Sequence, residues 1–186
     1  MNVCIYYYDD FCEFEAVFTA LLFKGERLVT TALEDRTYIS EETQKFIPDT
    51  TVDQLEPEEI DLFIIPGGEP APLYNDSTIK NFLLKMNQDN KYIAGICGGT
   101  KLMAKFGLLD NHRCNGSGAG IGPDYQDIDL FKNAQIVDQG VVVDGNIITA
   151  TGESFLKFAV KLGEIMDGFE NKERFEKIYT WLKSMA

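Results

Sequence analysis

Histidine is almost missing from this chain: His112 stands alone among 186 residues. That scarcity excludes a metal centre built from two or more imidazoles, and it leaves one candidate base for any triad-type mechanism. Basic residues are also few, 17 Lys and Arg against 30 Asp and Glu, for a formal charge of −13. Such a balance disfavours nucleic acid, which needs a basic footprint, and an anionic membrane surface. No apolar run approaches the roughly 20 residues that span a bilayer. The opening residues MNVCIYYYDD lack the basic-then-apolar pattern of a signal peptide. The four cysteines, Cys4, Cys12, Cys97 and Cys114, contain no C-x-x-C pair. They read as reduced thiols of a cytoplasmic protein rather than as a disulfide framework. No repeat, low-complexity tract or flexible linker divides the chain, so residues 1–186 are expected to form one domain.

What is present is a 45% hydrophobic, 12% aromatic composition, enough to bury a core. Its pattern alternates strands and helices. Val3–Tyr8 is β-branched and aromatic, a first strand. Phe14, Val17, Phe18, Leu21 and Leu22 recur at helical spacing and predict an amphipathic helix from Glu13 that ends near Gly25. Arg27–Leu33 predicts a second strand, and Tyr38–Pro48 a short hairpin or loop excursion. Leu62–Ile65, closed by Pro66-Gly67-Gly68, suits a buried parallel strand. A helix over Asp76–Gln88 with Ile79, Phe82, Leu83 and Met86 inward, a strand over Tyr92–Ile96 and a helix over Thr100–Phe106 follow. Val141–Val143 and Ile147–Thr149 flank an Asp144-Gly145 turn and predict a hairpin. Ser154–Met166 and Lys172–Met185 predict closing helices. This alternation implies a mostly parallel sheet covered on both faces, with ligands at the carboxyl ends of its strands. Three strands end in unusual residues, Asp9-Asp10-Phe11-Cys12, Pro66-Gly67-Gly68 and Cys97-Gly98-Gly99, which should converge on one edge.

Gly95, Cys97 and Gly99 form a G-x-C-x-G spacing between a strand and a helix, the nucleophile elbow with cysteine in place of serine. Small neighbours are needed because the chain reverses sharply there. The amides and dipole of the following helix would favour a thiolate. The Gly98 N–H and a second N–H from the Gly67-Gly68 turn would hold an oxyanion. Against this stands the plain alternative of a small buried residue in a glycine-rich turn. No G-x-x-x-x-G-K-[ST] is present, so a phosphate loop is discounted.

Four ordered motifs carry a resemblance to the ThiJ/PfpI (parkinsonism-protein) family of the class I glutamine amidotransferase-like superfamily. They are Asp10-Phe11-Cys12-Glu13-Phe14-Glu15, Ile65-Pro66-Gly67-Gly68, Ile93–Thr100 with Lys105–Leu109, and Asp144–Gly152. The resemblance implies a three-layer α/β/α sandwich of flavodoxin-like type. It makes Cys97 the reactive cysteine, Glu15 its acidic neighbour, and the Gly68 and Gly98 amides the oxyanion donors. It also implies a homodimer and a small-molecule or peptide substrate, with no cofactor and no metal.

The chain departs from the family's hydrolytic members at the position where they carry a histidine. By its distance from Gly107, that position falls at Gly116 or Ser117. His112 precedes the strand that returns from the elbow helix and is expected at the opposite end of the sheet. Asp9, Asp10, Asn115, Ser117, Thr151 and Glu153 are further polar residues expected near the elbow edge, and Cys12 or Cys114 could approach Cys97. Two functions follow. One is a cysteine-dependent hydrolase or glyoxalase/deglycase-like enzyme acting on small carbonyl or amide substrates. The other is a non-catalytic redox or stress-responsive protein whose Cys97 is oxidised or holds a small ligand.

Overall fold

The computed structural model describes residues 1–166 and 169–186. The chain runs β1 (Asn2–Tyr6), α1 (Glu13–Leu22), β2 (Arg27–Ala32), β3 (Tyr38–Ile39), β4 (Lys45–Phe46), β5 (Thr50–Thr51), β6 (Leu62–Ile65), α2 (Ser77–Gln88) and β7 (Tyr92–Ile96). It continues through α3 (Gly99–Lys105), β8 (Arg113–Cys114), β9 (Gln135–Ile136), β10 (Val141–Asp144), β11 (Ile147–Ala150), α4 (Phe155–Ile165) and α5 (Lys172–Lys183). Seven strands form the central sheet in the order β10-β11-β7-β6-β1-β2-β5. Every pairing in it is parallel except that of β10 with β11, the hairpin at Asp144-Gly145. This is the expected mostly parallel sandwich of flavodoxin-like type.

Topology decides where the helices lie. From β1 the chain crosses to β2 on one side, whereas from β6 it crosses to β7 on the other. Right-handed crossovers in opposite directions place α1 and α2 on opposite faces of the sheet. Helix α4 packs on α1, and α5 on both. The β6 and β7 strands bury nearly every side chain, as strands covered on both faces must. Helix α2 buries Ile79, Phe82, Leu83 and Met86, the four residues its spacing predicted. Asp76 caps it by accepting hydrogen bonds from the Thr78 and Ile79 amides at 2.9 and 3.1 Å.

Helix α1 corrects the sequence reading. Its buried side is Glu13, Glu15, Ala16, Thr19 and Leu22, while Phe14 and Val17 of the expected core stripe are 38% and 52% exposed. The reason is local: the helix is rotated so that Glu15 reaches the Gly67 amide at 2.6 Å. Phe14 and Phe18 pack instead against Phe155 of α4. A fixed polar contact outweighs the apolar period here.

Candidate active site at the Cys97 elbow

The registers bring the unusual residues together as expected. Ile65 pairs with Gly95 and Ile96 with Ala150, so Gly67-Gly68, Cys97 and Thr151-Gly152 all leave the sheet at its carboxyl edge. The loop after β1 is tied to the turn after β6: the Cys12 amide donates to the Gly67 carbonyl at 2.8 Å, and Phe11 forms an antiparallel bridge with Gly68.

Cys97 adopts φ +50°, the left-handed region that costs a side-chain-bearing residue strain. The surroundings hold it there. Its amide donates to the Ala150 carbonyl at 2.9 Å. Its carbonyl accepts from the Thr100 hydroxyl at 2.7 Å and the Ser117 amide at 3.2 Å. Glycine is required on both sides of the sulfur: a Cβ on Gly98 would stand 1.9 Å from the Gly68 carbonyl oxygen. A Cβ on Gly67 would stand 2.6 Å from both Cys97 Cβ and Glu15 Oε2. Gly152 faces the same pair, its Cβ position 3.2 Å from Cys97 Sγ and 3.3 Å from Glu15 Oε1. Sulfur and carboxyl are therefore wedged side by side between two glycines.

The electrostatics refine the expectation drawn from the elbow helix. Burial first and the Glu15 charge second push the half-buried Cys97 thiol up to about 11, against the Gly98 and Gly68 amides, which pull it down. Desolvation wins over the donors because α3 is a helix of only seven residues and the sulfur lies mostly inside. Burial also raises the Glu15 carboxyl to about 7, against the Gly67 amide that lowers it and the Glu41 and Glu42 charges that add to the rise. With the thiol raised well above the carboxyl, the proton rests on sulfur at neutral pH. Glu15 occupies the Gly67 amide and leaves that of Gly68 beside the sulfur.

Gly116 and Ser117 stand where the family's histidine was expected. A Cβ at Gly116 would meet the Thr100 hydroxyl oxygen at 2.0 Å, so no side chain fits there. Ser117 has φ +63° and faces Tyr125. Tyr125 is a neighbour of the site that no sequence pattern signals: its phenol is raised by burial and feels the charges of Lys101, Asp127 and Cys97. The loop between β8 and β9 carries no periodicity, which is why Tyr125 was not legible. Asn115 is buried and holds this loop in shape, accepting from the Gly116 and Ile121 amides at 2.8 and 3.0 Å.

His112 lies away from all of this. Its Nδ1 is 3.3 Å from Asp144 Oδ2, next to the hairpin turn. Because Ile147 pairs with Ile93 near the start of β7, that turn sits at the amino edge of the sheet, opposite Cys97. Cys12 is buried with its sulfur within 4.8 Å of carboxylate oxygens of Glu41 and Glu42. Cys4, Cys12, Cys97 and Cys114 are all free thiols.

A strained cysteine between strand and helix, flanked by backbone amides and a buried glutamate, marks a nucleophile-elbow α/β fold. The DJ-1/PfpI family model matches residues 1–165, and the chain belongs to that family. It is 32% identical over 124 residues to YdeA, an uncharacterized protease of Bacillus subtilis, a match covering 67% of this chain and 61% of that protein. It is 26% identical over 128 residues to a deglycase of Pyrococcus horikoshii, covering 68% of this chain and 74% of that one. The crystal structure of DJ-1beta from Drosophila melanogaster superimposes with a TM-score of 0.82 at 21% identity, over 98% of each chain. Among the described residues no helix is long and apolar enough to cross a membrane.

Proposed function

We propose that this protein is a cysteine-dependent enzyme acting on small reactive carbonyl compounds, with Cys97 as nucleophile and Glu15 as its proton acceptor and donor. The observation that carries this reading is the pairing of the Cys97 sulfur with a buried carboxyl raised to about 7. A carboxyl titrating there both accepts and returns a proton at neutral pH, the work an imidazole does elsewhere. Relatives named as deglycases fit the same chemistry.

For a 2-oxoaldehyde such as methylglyoxal the steps balance as follows. The Cys97 S–H proton passes to Glu15 as sulfur bonds to the aldehyde carbon, and the carbonyl π pair becomes an alkoxide beside the Gly68 and Gly98 amides. Glu15 returns its proton to that oxygen, giving a hemithioacetal. The carboxylate then removes the proton on the same carbon, and reprotonation at the neighbouring carbon yields a thioester of the 2-hydroxy acid. Water cleaves the thioester, releasing the acid and restoring the thiol. No external oxidant or reductant is consumed. The test is methylglyoxal and peptide turnover by wild type and Cys97→Ala; the proposal expects loss in the variant, and equal rates would overturn it.

A redox role has one observation in its favour, since the same two amides and Glu15 would also hold the oxygens of a sulfinate. Intact-mass measurement after mild peroxide separates the two: oxidation at Cys97 without any turnover supports the redox role. We also propose that two copies pair through the outward side of α1, because Phe14 and Val17 are exposed there beside Phe155. Light scattering should then report a dimer that Val17→Glu converts to a monomer.

A further inference from the structure

We propose that the crevice between the ends of β1 and β6, separate from the Cys97 site, binds a small primary amine that also carries a hydroxyl group. The position follows from topology. Connections leave β1 and β6 in opposite directions, so these adjacent strands mark the switch point of the sheet, where loops diverge and open a crevice. A cavity of about 190 Å³ lies there, lined by Tyr6, Tyr8, Leu33, Tyr38, Pro72 and Leu73 with charged residues at its rim. That is somewhat larger than the ~150 Å³ that admits a benzene ring.

The hydroxyl requirement comes from Tyr6. It is fully buried, and among the described residues its hydroxyl has no hydrogen-bond partner. The neighbouring phenols are both satisfied. Tyr8 donates to the Pro66 and Gly67 carbonyls at 2.8 and 2.7 Å. Tyr38 donates to the Glu34 carbonyl at 3.2 Å and accepts from its amide at 3.0 Å. An orphaned buried hydroxyl is costly, and a ligand hydroxyl that parts the side chains covering Tyr6 relieves it.

The amine requirement comes from charge. Four carboxylates line the cavity, Asp9, Asp10, Glu34 and Glu69, against one guanidinium, Arg36. Arg36 is already committed: it pairs with Asp9 at 2.6 Å and Glu34 at 2.9 Å and lies 4.0 Å over the Tyr38 ring. Lys101, 2.8 Å from Glu69, answers one more carboxylate. Negative charge is left over, and Asp10, exposed at φ +60°, forms no ion pair among the described residues. An anionic ligand is repelled, while an ammonium is drawn toward Asp10 and the tyrosine faces. The Cys97 site is distinct, because Cys97, Glu15, Gly67 and Gly98 do not line this cavity.

Isothermal titration of the full chain with three probes tests the assignment: trans-4-aminocyclohexanol, cyclohexylamine and trans-4-hydroxycyclohexanecarboxylate. The amino alcohol should bind one to one, cyclohexylamine about fivefold more weakly for want of the Tyr6 hydrogen bond, and the carboxylate not measurably. Tyr6→Phe should reduce the amino alcohol to the level of cyclohexylamine, and Asp10→Asn, at an exposed position, should weaken both amines. Cys97→Ser should bind all three as wild type does. Binding of the carboxylate as tight as that of the amino alcohol, an unchanged affinity in Tyr6→Phe, loss of binding in Cys97→Ser, or no binding of any probe would each overturn the proposal.

Discussion

Cys97, the candidate nucleophile, and His112, the single imidazole of the chain, lie at opposite edges of one sheet, as their order along the chain implied. At the carboxyl edge a thiol in a left-handed backbone conformation shares a niche with a buried carboxyl. At the amino edge an imidazole 30% exposed at its side chain rests 3.3 Å from an aspartate, a surface pair of the kind that contributes little. The comparison teaches that the function proposed for Cys97 rests on a buried carboxyl beside the sulfur rather than on an imidazole. Burial sets Glu15 to about 7, near the ordinary histidine value, without any histidine.

The contrast can be broken most forcefully at the sulfur. Cys97→Ala should lower methylglyoxal turnover by at least about a thousandfold, whereas His112→Ala should leave kcat/KM within about twofold. Gly67→Ala comes next. Its Cβ would stand 2.6 Å from Glu15 Oε2 and Cys97 Cβ, so the niche must open. Turnover should fall about a hundredfold and the protein lose ~2 kcal/mol, read from urea melts.

Glu15→Gln should produce opposite signs in two assays. Turnover falls about a hundredfold because the proton acceptor is gone. Alkylation of Cys97 by iodoacetamide at pH 8 should quicken several-fold, because the charge that raises the thiol is removed. Stability gives a third readout. The folded carboxyl at about 7 lies above its ordinary 4.5, so its contribution is fully present below pH 4.5 and is lost as pH rises through 7. Glu15→Gln should therefore gain stability over wild type at pH 8 relative to pH 5, by up to about 3 kcal/mol. The smallest effect belongs to the amino edge, where Asp144→Asn should change stability by less than about 1 kcal/mol.

Much of this arrangement was legible before the structure. Strand ends rich in glycine announced the convergence of Gly67, Gly68 and Cys97, and the spacing of Ile79, Phe82, Leu83 and Met86 gave the buried side of α2. The side of α1 was not legible, since Phe14 and Val17 of its apolar period point outward while two glutamates point in. Periodicity reports what is apolar, and one short hydrogen bond from the Gly67 amide to Glu15 overrode it. The thiol's upward shift was hidden for the same reason: motifs name donors near a sulfur but do not show how deeply it is buried. Tyr125 and the Tyr6 cavity depend on how loops fold over strand ends, which no local pattern encodes.

The pH dependence of kcat/KM for methylglyoxal, measured on wild type, Glu15→Gln and His112→Ala, tests the central claim most directly. Glu15 acting as proton acceptor predicts a limb rising near pH 7 in wild type and in His112→Ala, absent from the residual activity of Glu15→Gln. A limb that survives in Glu15→Gln and disappears in His112→Ala would contradict it.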